Sequence, residues 1–304
     1  MTVSIAILGP GGVGGLLAAA LAREGGDVVV VARERTAETI VRAGVRVESE
    51  ALGDFVARPA AVARLERPVD VLLVSPKAAA LADALARVDA APALVVPLLN
   101  GLDHMALLRE RFDPATVAAG TIRVQADRPE PGRVVQRGRF LSVELASGDA
   151  ALRARLDLLA ALLEQAGVTT RVRDEEARIL WGKLVRLNAL ACTTAAHDTT
   201  FGAIRSDPAR WAELEGCVRE GAAVARAEGA QIDPDSVFRE FEVIHDGFGT
   251  SMRRDVAAGR APELDAIAGA VLRAGARHGI PCPTIAALVA RIAARAGIAT
   301  PVAG

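Results

Sequence analysis

Apolar residues in the first half of the chain fall into short continuous runs, separated by helical or glycine-rich segments. The clearest of these runs are Ile5–Leu8, Asp27–Ala32, Val69–Ser75 and Ala93–Leu99. Continuous runs of β-branched and aliphatic residues are typical of parallel strands that are buried on both faces. Strands that alternate with helices indicate βαβ units, so this half of the chain predicts a parallel α/β sheet.

The pattern changes twice further along the chain. From Thr116 to Leu145 it is rich in strand-forming residues and interrupted by turns, which predicts antiparallel strands that complete the same sheet. From Asp174 onward nearly every segment has a helical period. We therefore expect a Rossmann-type, doubly wound α/β domain over residues 1–173 and an all-α domain over residues 174–304, with the boundary near Arg173.

A glycine-rich turn joins the first strand to an Ala- and Leu-rich helix. Gly9, Gly11 and Gly14 have the spacing G-x-G-x-x-G, and Gly12 and Val13 lie between them. In a dinucleotide site the first glycine permits the tight turn, the second lets the pyrophosphate approach the backbone, and the third lets the helix pack closely. The N–H groups at the helix start then face the phosphates. An ordinary glycine turn is the alternative, but the strand before it and the helix after it favour a dinucleotide site.

Composition and charge argue against several classes of partner. The 304 residues include 36 basic and 37 acidic side chains, and the net charge of −1 gives no electrostatic reason to expect nucleic acid or an anionic membrane. No secretory leader or membrane-spanning run is evident and the three cysteines are widely spaced, so we expect a cytoplasmic protein in a reducing compartment. The histidines lack metal-ligand spacing, and we expect no metal site.

Three polar residues follow predicted strands, at the edge of the sheet where doubly wound folds bind ligands. Arg33 stands where an acidic residue would bind the ribose 2′-hydroxyl of NAD, so it favours the 2′-phosphate of NADP(H), although Glu34 is adjacent. Lys77 and Asn100 could orient a nicotinamide and an anionic substrate. A solvated surface arginine and ordinary loop polarity are the alternative interpretations.

A lysine in the helical half lies among apolar residues. Lys183 shares a helix face with Leu180, Leu184 and Leu187. Its side chain either extends along that face toward solvent or is held in a cleft. In a cleft, desolvation favours the neutral amine, lowers the pKa of the lysine and makes it a usable proton donor near neutral pH.

Ser251 and Glu263 flank a basic segment, Met252–Pro262, which the sequence predicts to be turn-like. Glu263 follows a proline at the start of a helix, where a carboxylate is favoured simply as a first-turn residue. From position alone, that structural interpretation is the simpler one.

Taken in order, these motifs resemble the ketopantoate reductase (2-dehydropantoate 2-reductase) family over essentially the full length of the chain. The matching segments are GPGGVGG at Gly9–Gly15, LLVSPKA around Lys77, LLNGLD around Asn100, LWGKL around Lys183, TSMRRD around Ser251 and PELDAI around Glu263, with Arg33 after the second strand. The resemblance implies a Rossmann-type domain followed by a C-terminal domain of the 6-phosphogluconate dehydrogenase type. It also implies that NADPH reduces a small-molecule 2-oxo acid to a 2-hydroxy acid, as in pantothenate biosynthesis.

The resemblance assigns a role to each of the candidate residues. Lys183 would act as the general acid that protonates the carbonyl oxygen, and Glu263 would lie close to it and to the substrate hydroxyls. Asn100 and Ser251 would hold the substrate, with Asn100 also near the cofactor, and Lys77 would lie nearer the cofactor end. A homodimer is a further arrangement that the sequence leaves open.

Pro76, just before Lys77, is not the usual residue of the family, and two positions on the lysine helix also depart from its pattern. The family carries asparagines one and two turns after the lysine, where this chain has Leu187 and Ala191, and the candidate replacement Asn188 stands one place further along. A shift of one residue turns a side chain about 100° around a helix, so Asn188 replaces the first asparagine only if the helix rearranges. Two alternatives follow: a reductase of another branched 2-oxo acid, or a non-catalytic redox sensor that binds NADP and contacts a partner.

Overall fold

The computed structural model describes residues 3–301 of the chain. They form two compact units. The first includes the residues up to Leu99 and the segment His104–Ile179, and the second includes Asn100–Asp103 and the residues from Leu180 onward. A short segment after the last parallel strand therefore belongs to the helical unit. The boundary near Arg173 remains a prediction, while the division by compactness falls after Ile179.

The strands of the first unit form two separate sheets. In chain order they are β1 (Ser4–Leu8), β2 (Asp27–Val31), β3 (Val45–Ser49), β4 (Phe55–Ala57), β5 (Ala60–Val62), β6 (Val71–Val74), β7 (Leu94–Pro97), β8 (Ala119–Glu130), β9 (Arg133–Ala146) and β10 (Thr169–Arg173). The first sheet is parallel and has the order β5-β2-β1-β6-β7. Every residue of β6 and β7 is buried, as expected of strands covered on both faces. The predicted parallel sheet is confirmed.

The second sheet is mixed and contains the long hairpin of β8 and β9. Its order is β10-β9-β3-β4, with β8 antiparallel to β9, and β9 pairs in parallel with β3 and β10. The expectation that the strands of residues 116–145 complete the parallel sheet is therefore wrong. Buried and more exposed residues alternate along β3, which is typical of a strand packed on one face, and β3 gives β9 a partner far away in sequence.

The helix that follows the glycine turn is packed between the two sheets. This helix, α1 (Gly12–Arg23), contacts β1 and β2 of the parallel sheet and β3, β4, β8 and β9 of the mixed sheet. Its residues from Gly14 to Leu21 are all buried. A helix that is covered on all sides must be apolar on all sides, which accounts for its run of alanine and leucine.

The other helices of the described residues flank these sheets in sequence or form the second unit. They are α2 (Glu34–Ala43), α3 (Leu81–Leu85), α4 (His104–Arg111), α5 (Ala150–Gln165), α6 (Glu176–His197), α7 (Phe201–Arg205), α8 (Pro208–Ala227), α9 (Pro234–Glu242), α10 (Ser251–Ala257), α11 (Ala270–Arg277) and α12 (Pro283–Ala296). A π-helical turn, Asp265–Gly269, leads directly into α11. The predicted all-α second domain is confirmed.

After β6 a 3₁₀ turn at Ala78–Ala80 leads into the short α3. One local expectation about helices needs correction. The segment Met252–Pro262, expected to be turn-like, is helical as far as Ala257, because Thr250 caps α10 by accepting the N–H of Arg253 at 3.3 Å. Within residues 3–301, we find no helix that is both long enough and apolar enough to cross a membrane.

Candidate functional site

The glycine turn follows β1 and leads into α1. Gly9 has a φ of +85°, and a Cβ there would lie 2.9 Å from the Pro76 nitrogen. A Cβ added to Gly11 would meet no heavy atom within 4 Å other than those of its chain neighbours, so the backbone at Gly11 is open to a ligand. At Gly14 a Cβ would lie 2.2 Å from Ser75 Oγ and 2.4 Å from the Gly9 carbonyl oxygen, so only glycine permits this approach of helix and strand.

The same turn fits the pyrophosphate of a dinucleotide. The first N–H groups of α1 have no partner within the helix and carry the positive end of its dipole. The neighbouring glycines have a packing role instead: a Cβ at Gly12 would lie 2.2 Å from the Ala126 carbonyl oxygen, and one at Gly15 would lie 2.8 Å from Val134 Cγ2. Val13 is partly buried against the same core. Gly12 and Val13 can therefore contribute backbone N–H groups to a ligand while their Cα atoms face protein.

Arg33 is exposed at the N-cap of α2, directly after β2. Its neighbour Glu34, which could oppose a bound phosphate, is engaged by another segment: Arg87 Nη1 donates to Glu34 Oε1 at 3.0 Å and to the Ala63 carbonyl oxygen at 3.2 Å. A hydrogen bond from its own backbone, followed by the Arg87 guanidinium, holds the pKa of Glu34 below its usual value. The carboxylate next to Arg33 is thus paired with a cation.

Lys77 lies close to the glycine turn in the first unit. It is exposed and follows Pro76, whose ring and backbone pack against Gly9. The turn after β1 and the turn after β6 are therefore adjacent at the carboxyl end of the parallel sheet. That edge is where open α/β sheets bind their ligands.

Two predicted residues that are far apart in sequence are hydrogen-bonded in the helical unit. Asn100 Nδ2 donates to Glu263 Oε2 at 3.0 Å, in a partly buried setting. The next residue, Gly101, has a φ of +86°, and a Cβ there would lie 2.1 Å from the Ala266 carbonyl oxygen. Ala266 belongs to the π-helical turn, a conformation that is frequent at functional sites. An amide and a carboxylate are thus assembled at a tight backbone contact.

Lys183 lies on a half-buried stripe of α6 together with Leu180 and Leu187, while Leu184 belongs to the fully buried side. Only two of the 36 basic residues are lysines, Lys77 and Lys183, and the others are arginines. Lysine and arginine differ in that only lysine can be deprotonated in proteins.

Ser251 is exposed at the first position of α10. The preceding residue, Thr250, is buried, and its Oγ1 lies 2.9 Å from Thr194 Oγ1 on α6. Arg253 Nε also donates to Asp198 Oδ1 at 3.2 Å. These contacts attach the start of α10 to the end of the helix that carries Lys183.

Asn188 is fully buried in α6, away from the stripe of Lys183. Its Oδ1 accepts a hydrogen bond from the Cys192 thiol at 3.3 Å, and among the described residues its Nδ2 has no hydrogen-bond partner. Because α6 is continuous from Glu176 to His197, no local rearrangement turns Asn188 toward Lys183. Its role in substrate binding stays a prediction.

Sequence reasoning found some features of these regions and missed others. The Asn-Gly pair at Asn100 signals a turn, so the positive φ of Gly101 could have been foreseen. Arg87 and Arg273, which engage Glu34 and the segment around Gly101, stand in no motif. In the part of the chain that the structure describes, no group of three or more His, Cys, Asp or Glu side chains could hold a metal ion.

A parallel sheet with a glycine turn at its carboxyl edge, followed by a helical unit with a partly buried amide–carboxylate pair, defines a two-domain oxidoreductase of the Rossmann type. Residues 5–149 match the family model "Ketopantoate reductase PanE/ApbA", and residues 177–302 match "Ketopantoate reductase PanE/ApbA C terminal". The chain belongs to the ketopantoate reductase family. The resemblance found in the sequence is thereby confirmed.

Individual relatives agree with this assignment over nearly the whole chain. A 2-dehydropantoate 2-reductase of Caulobacter vibrioides is 32% identical over 96% of this chain and 99% of its own length, and that of Halobacterium salinarum is 31% identical with the same coverage. The ketopantoate reductase of Geobacter metallireducens superposes with a TM-score of 0.85 at 28% identity, over 95% of this chain and 99% of that one. A D-mandelate dehydrogenase solved with NADH and anilino(oxo)acetate has a TM-score of 0.88 over 97% and 98% of the two chains. Its identity is 22%, so the likeness concerns the fold.

Proposed function

We propose that this protein reduces 2-dehydropantoate to (R)-pantoate with NADPH, as in pantothenate and coenzyme A biosynthesis. Membership of the ketopantoate reductase family supports the proposal, as do the relatives of 32% and 31% identity named 2-dehydropantoate 2-reductase. The observation that carries it is the hydrogen bond of 3.0 Å between Asn100 and Glu263. It joins two residues with assigned substrate roles in the same unit as Lys183.

Bound NADPH would supply the hydride that reduces the keto carbon of the substrate. The open backbone at Gly11 and the first N–H groups of α1 would bind the pyrophosphate. Arg33 would bind the 2′-phosphate, and the pairing of Glu34 with Arg87 supports this choice, because it partly neutralises the carboxylate beside Arg33. Lys77 would lie toward the nicotinamide end.

Lys183 would donate the proton that the substrate oxygen takes up. Negative charge develops on a carbonyl oxygen as the carbon accepts a hydride, and a positioned ammonium both stabilises that charge and supplies the proton. Glu263 would accept hydrogen bonds from the substrate hydroxyls, and Asn100 and Ser251 would hold the acid.

A second candidate function is the reduction of another branched 2-oxo acid by the same residues. Leu187 shares the half-buried stripe of Lys183, at the position where the family has an asparagine. An apolar neighbour favours a substrate whose side chain carries fewer hydroxyl groups. A non-catalytic sensor that binds NADP is the third candidate, and the presence of Lys183 and Glu263 argues against it.

Steady-state assays of NADPH oxidation with 2-dehydropantoate and a panel of branched 2-oxo acids distinguish these functions. Lys183→Arg keeps the charge but cannot release the proton, so we expect turnover to fall by more than about tenfold. Lys77→Arg makes the same chemical change at the other lysine and should alter the KM for NADPH more than kcat. If Lys183→Arg lost less than about tenfold in turnover, Lys183 would not be the general acid. Nucleotide binding without turnover of any acid would favour the sensor.

The choice of cofactor has a separate test. Arg33→Ala should weaken the binding of NADPH far more than that of NADH, because only NADPH carries the 2′-phosphate. Fluorescence titration with each nucleotide measures the two dissociation constants. Equal losses for both nucleotides would contradict the assignment of Arg33.

A further inference from the structure

The segment Asn100–Asp103 follows β7 of the parallel sheet after two intervening residues, yet it is part of the compact helical unit. Three attachments hold it there. The first is the hydrogen bond from Asn100 to Glu263, and the second is the close approach of Gly101 to the backbone of the π-helical turn. The third attachment is an arginine on α11.

That arginine, Arg273, binds two segments at once. Its Nη2 donates to Asp103 Oδ2 at 2.6 Å, and its Nη1 donates to Asp265 Oδ1 at 2.6 Å. Nη2 also donates to the backbone oxygen of Asp265 at 3.2 Å. The arginine side chain is 24% exposed, while those of Asp103 and Asp265 are 54% and 68% exposed, so the ion pairs contribute modest energy and their role is to fix geometry.

The surroundings of the guanidinium are shaped to receive it. A Cβ at Gly269, the last residue of the π-helical turn, would lie 3.0 Å from Arg273 Nη1 and 2.6 Å from Asp265 Oδ1. A larger residue at Gly269 would require the ends of these two side chains to shift. Asp265 begins the π-helical turn and lies two residues after Glu263, so its ion pair with Arg273 fixes the backbone next to the Glu263 carboxylate.

We propose that Arg273 is a positioning residue that keeps Asn100 hydrogen-bonded to Glu263. It does so by binding Asp103, three residues after Asn100, and Asp265, two residues after Glu263. The consequence for catalysis rests on the proposed function, because it requires Asn100 and Glu263 to contact substrate. Without the guanidinium, two carboxylates that now share one cation would repel each other. The segment would then lose its attachment at Asp103.

Arg273→Met removes the guanidinium that binds Asp103 and Asp265, and Arg277→Met is its matched control. Arg277 is one turn further along α11 and pairs with Glu228 at 3.0 Å, away from the segment. Hydrogen exchange of the Asn100 side-chain amide, whose Nδ2 donates to Glu263 Oε2, is the first measurement. We expect Arg273→Met to accelerate exchange there by about tenfold or more and Arg277→Met to leave it unchanged. Equal exchange in both variants overturns the proposal, whatever the substrate is.

Kinetics provide the second measurement. We expect kcat/KM for the 2-oxo acid to fall by about tenfold in Arg273→Met, with the dissociation constant of NADPH unchanged. If the effect passes through Asn100, adding Arg273→Met to Asn100→Ala should cause no further loss, while additive losses would overturn the proposal. Wild-type protein without turnover on any 2-oxo acid would refute the proposed function alone, since the exchange measurement still decides the role of Arg273.

A milder variant covers the case in which Arg273→Met does not fold. Asp103→Asn removes the charge of one partner but keeps a side chain that can cap the start of α4. It should accelerate exchange of the Asn100 side-chain amide and lower kcat/KM in the same direction as Arg273→Met, by about threefold or more. Wild-type values in both measurements would contradict the proposal.

Discussion

Alanine substitutions at Gly14 and Gly11 separate the packing role of the glycine turn from its proposed role in binding. At Gly14 the added methyl group would lie 2.2 Å from Ser75 Oγ and 2.4 Å from the Gly9 carbonyl oxygen. The hydroxyl cannot move away freely, because it donates to the carbonyl oxygens of Leu8 at 3.1 Å and Gly9 at 3.0 Å. Helix, turn and strand must therefore separate, or Ser75 must give up these bonds.

The size of the effect follows from these contacts. Forcing a methyl group into a packed core costs about 1–3 kcal/mol. The lost hydrogen bonding of Ser75 adds about 1 kcal/mol, and the better helix propensity of alanine returns a similar amount. We expect Gly14→Ala to lower the free energy of unfolding of the first unit by about 2 kcal/mol. Gly11→Ala should change it by less than about 0.5 kcal/mol, because the methyl group meets nothing and φ is −72°.

Urea denaturation without nucleotide measures these differences. Both tryptophans, Trp181 and Trp211, belong to the helical unit and the chain has no tyrosine, so tryptophan fluorescence does not report on the first unit. Far-ultraviolet circular dichroism and hydrogen exchange of β1 and β6 are the appropriate probes. Titration with NADPH then gives the affinity of each folded variant, and we expect Gly11→Ala to weaken it by about tenfold or more.

Gly14→Ala is expected to lower the stability of the first unit, whereas Gly11→Ala is expected to lower the affinity for NADPH. If Gly11→Ala destabilises the protein as much as Gly14→Ala does, the open space around Gly11 is not real. If Gly11→Ala is stable and binds NADPH like the wild type, the glycine turn does not hold the pyrophosphate. Either result would also weaken the proposed function, because it begins from that turn.

Three further predictions concern other parts of the molecule. Arg87→Met removes the cation that is paired with Glu34, so it should reduce the preference for NADPH over NADH by about threefold. Glu34→Gln in the same background should restore the preference. Titrations with both nucleotides measure it, and an unchanged ratio of dissociation constants in Arg87→Met would contradict the prediction. Burial raises the pKa of Cys192 from 9.0 to about 12. Between these two values the folded protein keeps the thiol proton while the unfolded chain loses it. The free energy of unfolding should therefore fall as the pH rises from 9.0 toward about 12, and denaturation curves should show a smaller fall for Cys192→Ala. Asp149 accepts the N–H groups of Ala151 at 2.8 Å and Leu152 at 2.9 Å, so Asp149→Ala should cost about 1 kcal/mol of stability, while Asp149→Asn should keep most of it.

The parallel sheet could be predicted because its signal is local. Runs such as Val71–Val74 are apolar at every position and too short for a buried helix, which favours a strand covered on both faces. The mixed sheet could not be assigned in the same way. Alternation along β3 and β9 shows which faces are buried but does not identify the partner, and Val47 pairs with Val134 across a large gap in sequence.

The candidate site shows the same division between local and distant information. The turn at Gly9 and the residues after the strands follow from their neighbours in sequence. The hydrogen bond between Asn100 and Glu263 spans 163 positions, and no periodicity relates the two residues. The role of Arg273 is even harder to predict, because it is one arginine among many and its partner Asp103 lies 170 positions away in sequence.

We expect substrate choice to depend on a feature of α6 that is visible in both the sequence and the structure. A regular helix places Leu187 on the same half-buried stripe as Lys183, and it places Asn188 in the interior, bonded to Cys192. Moving an asparagine by one position therefore removes a polar group from the neighbourhood of the proposed acid instead of supplying it from another angle. The residues proposed to transfer the proton are retained, but the surface next to them is apolar. A substrate that requires a hydrogen bond one turn beyond Lys183 must obtain it from another element, and Asn100, held by Glu263, is the candidate that the structure offers.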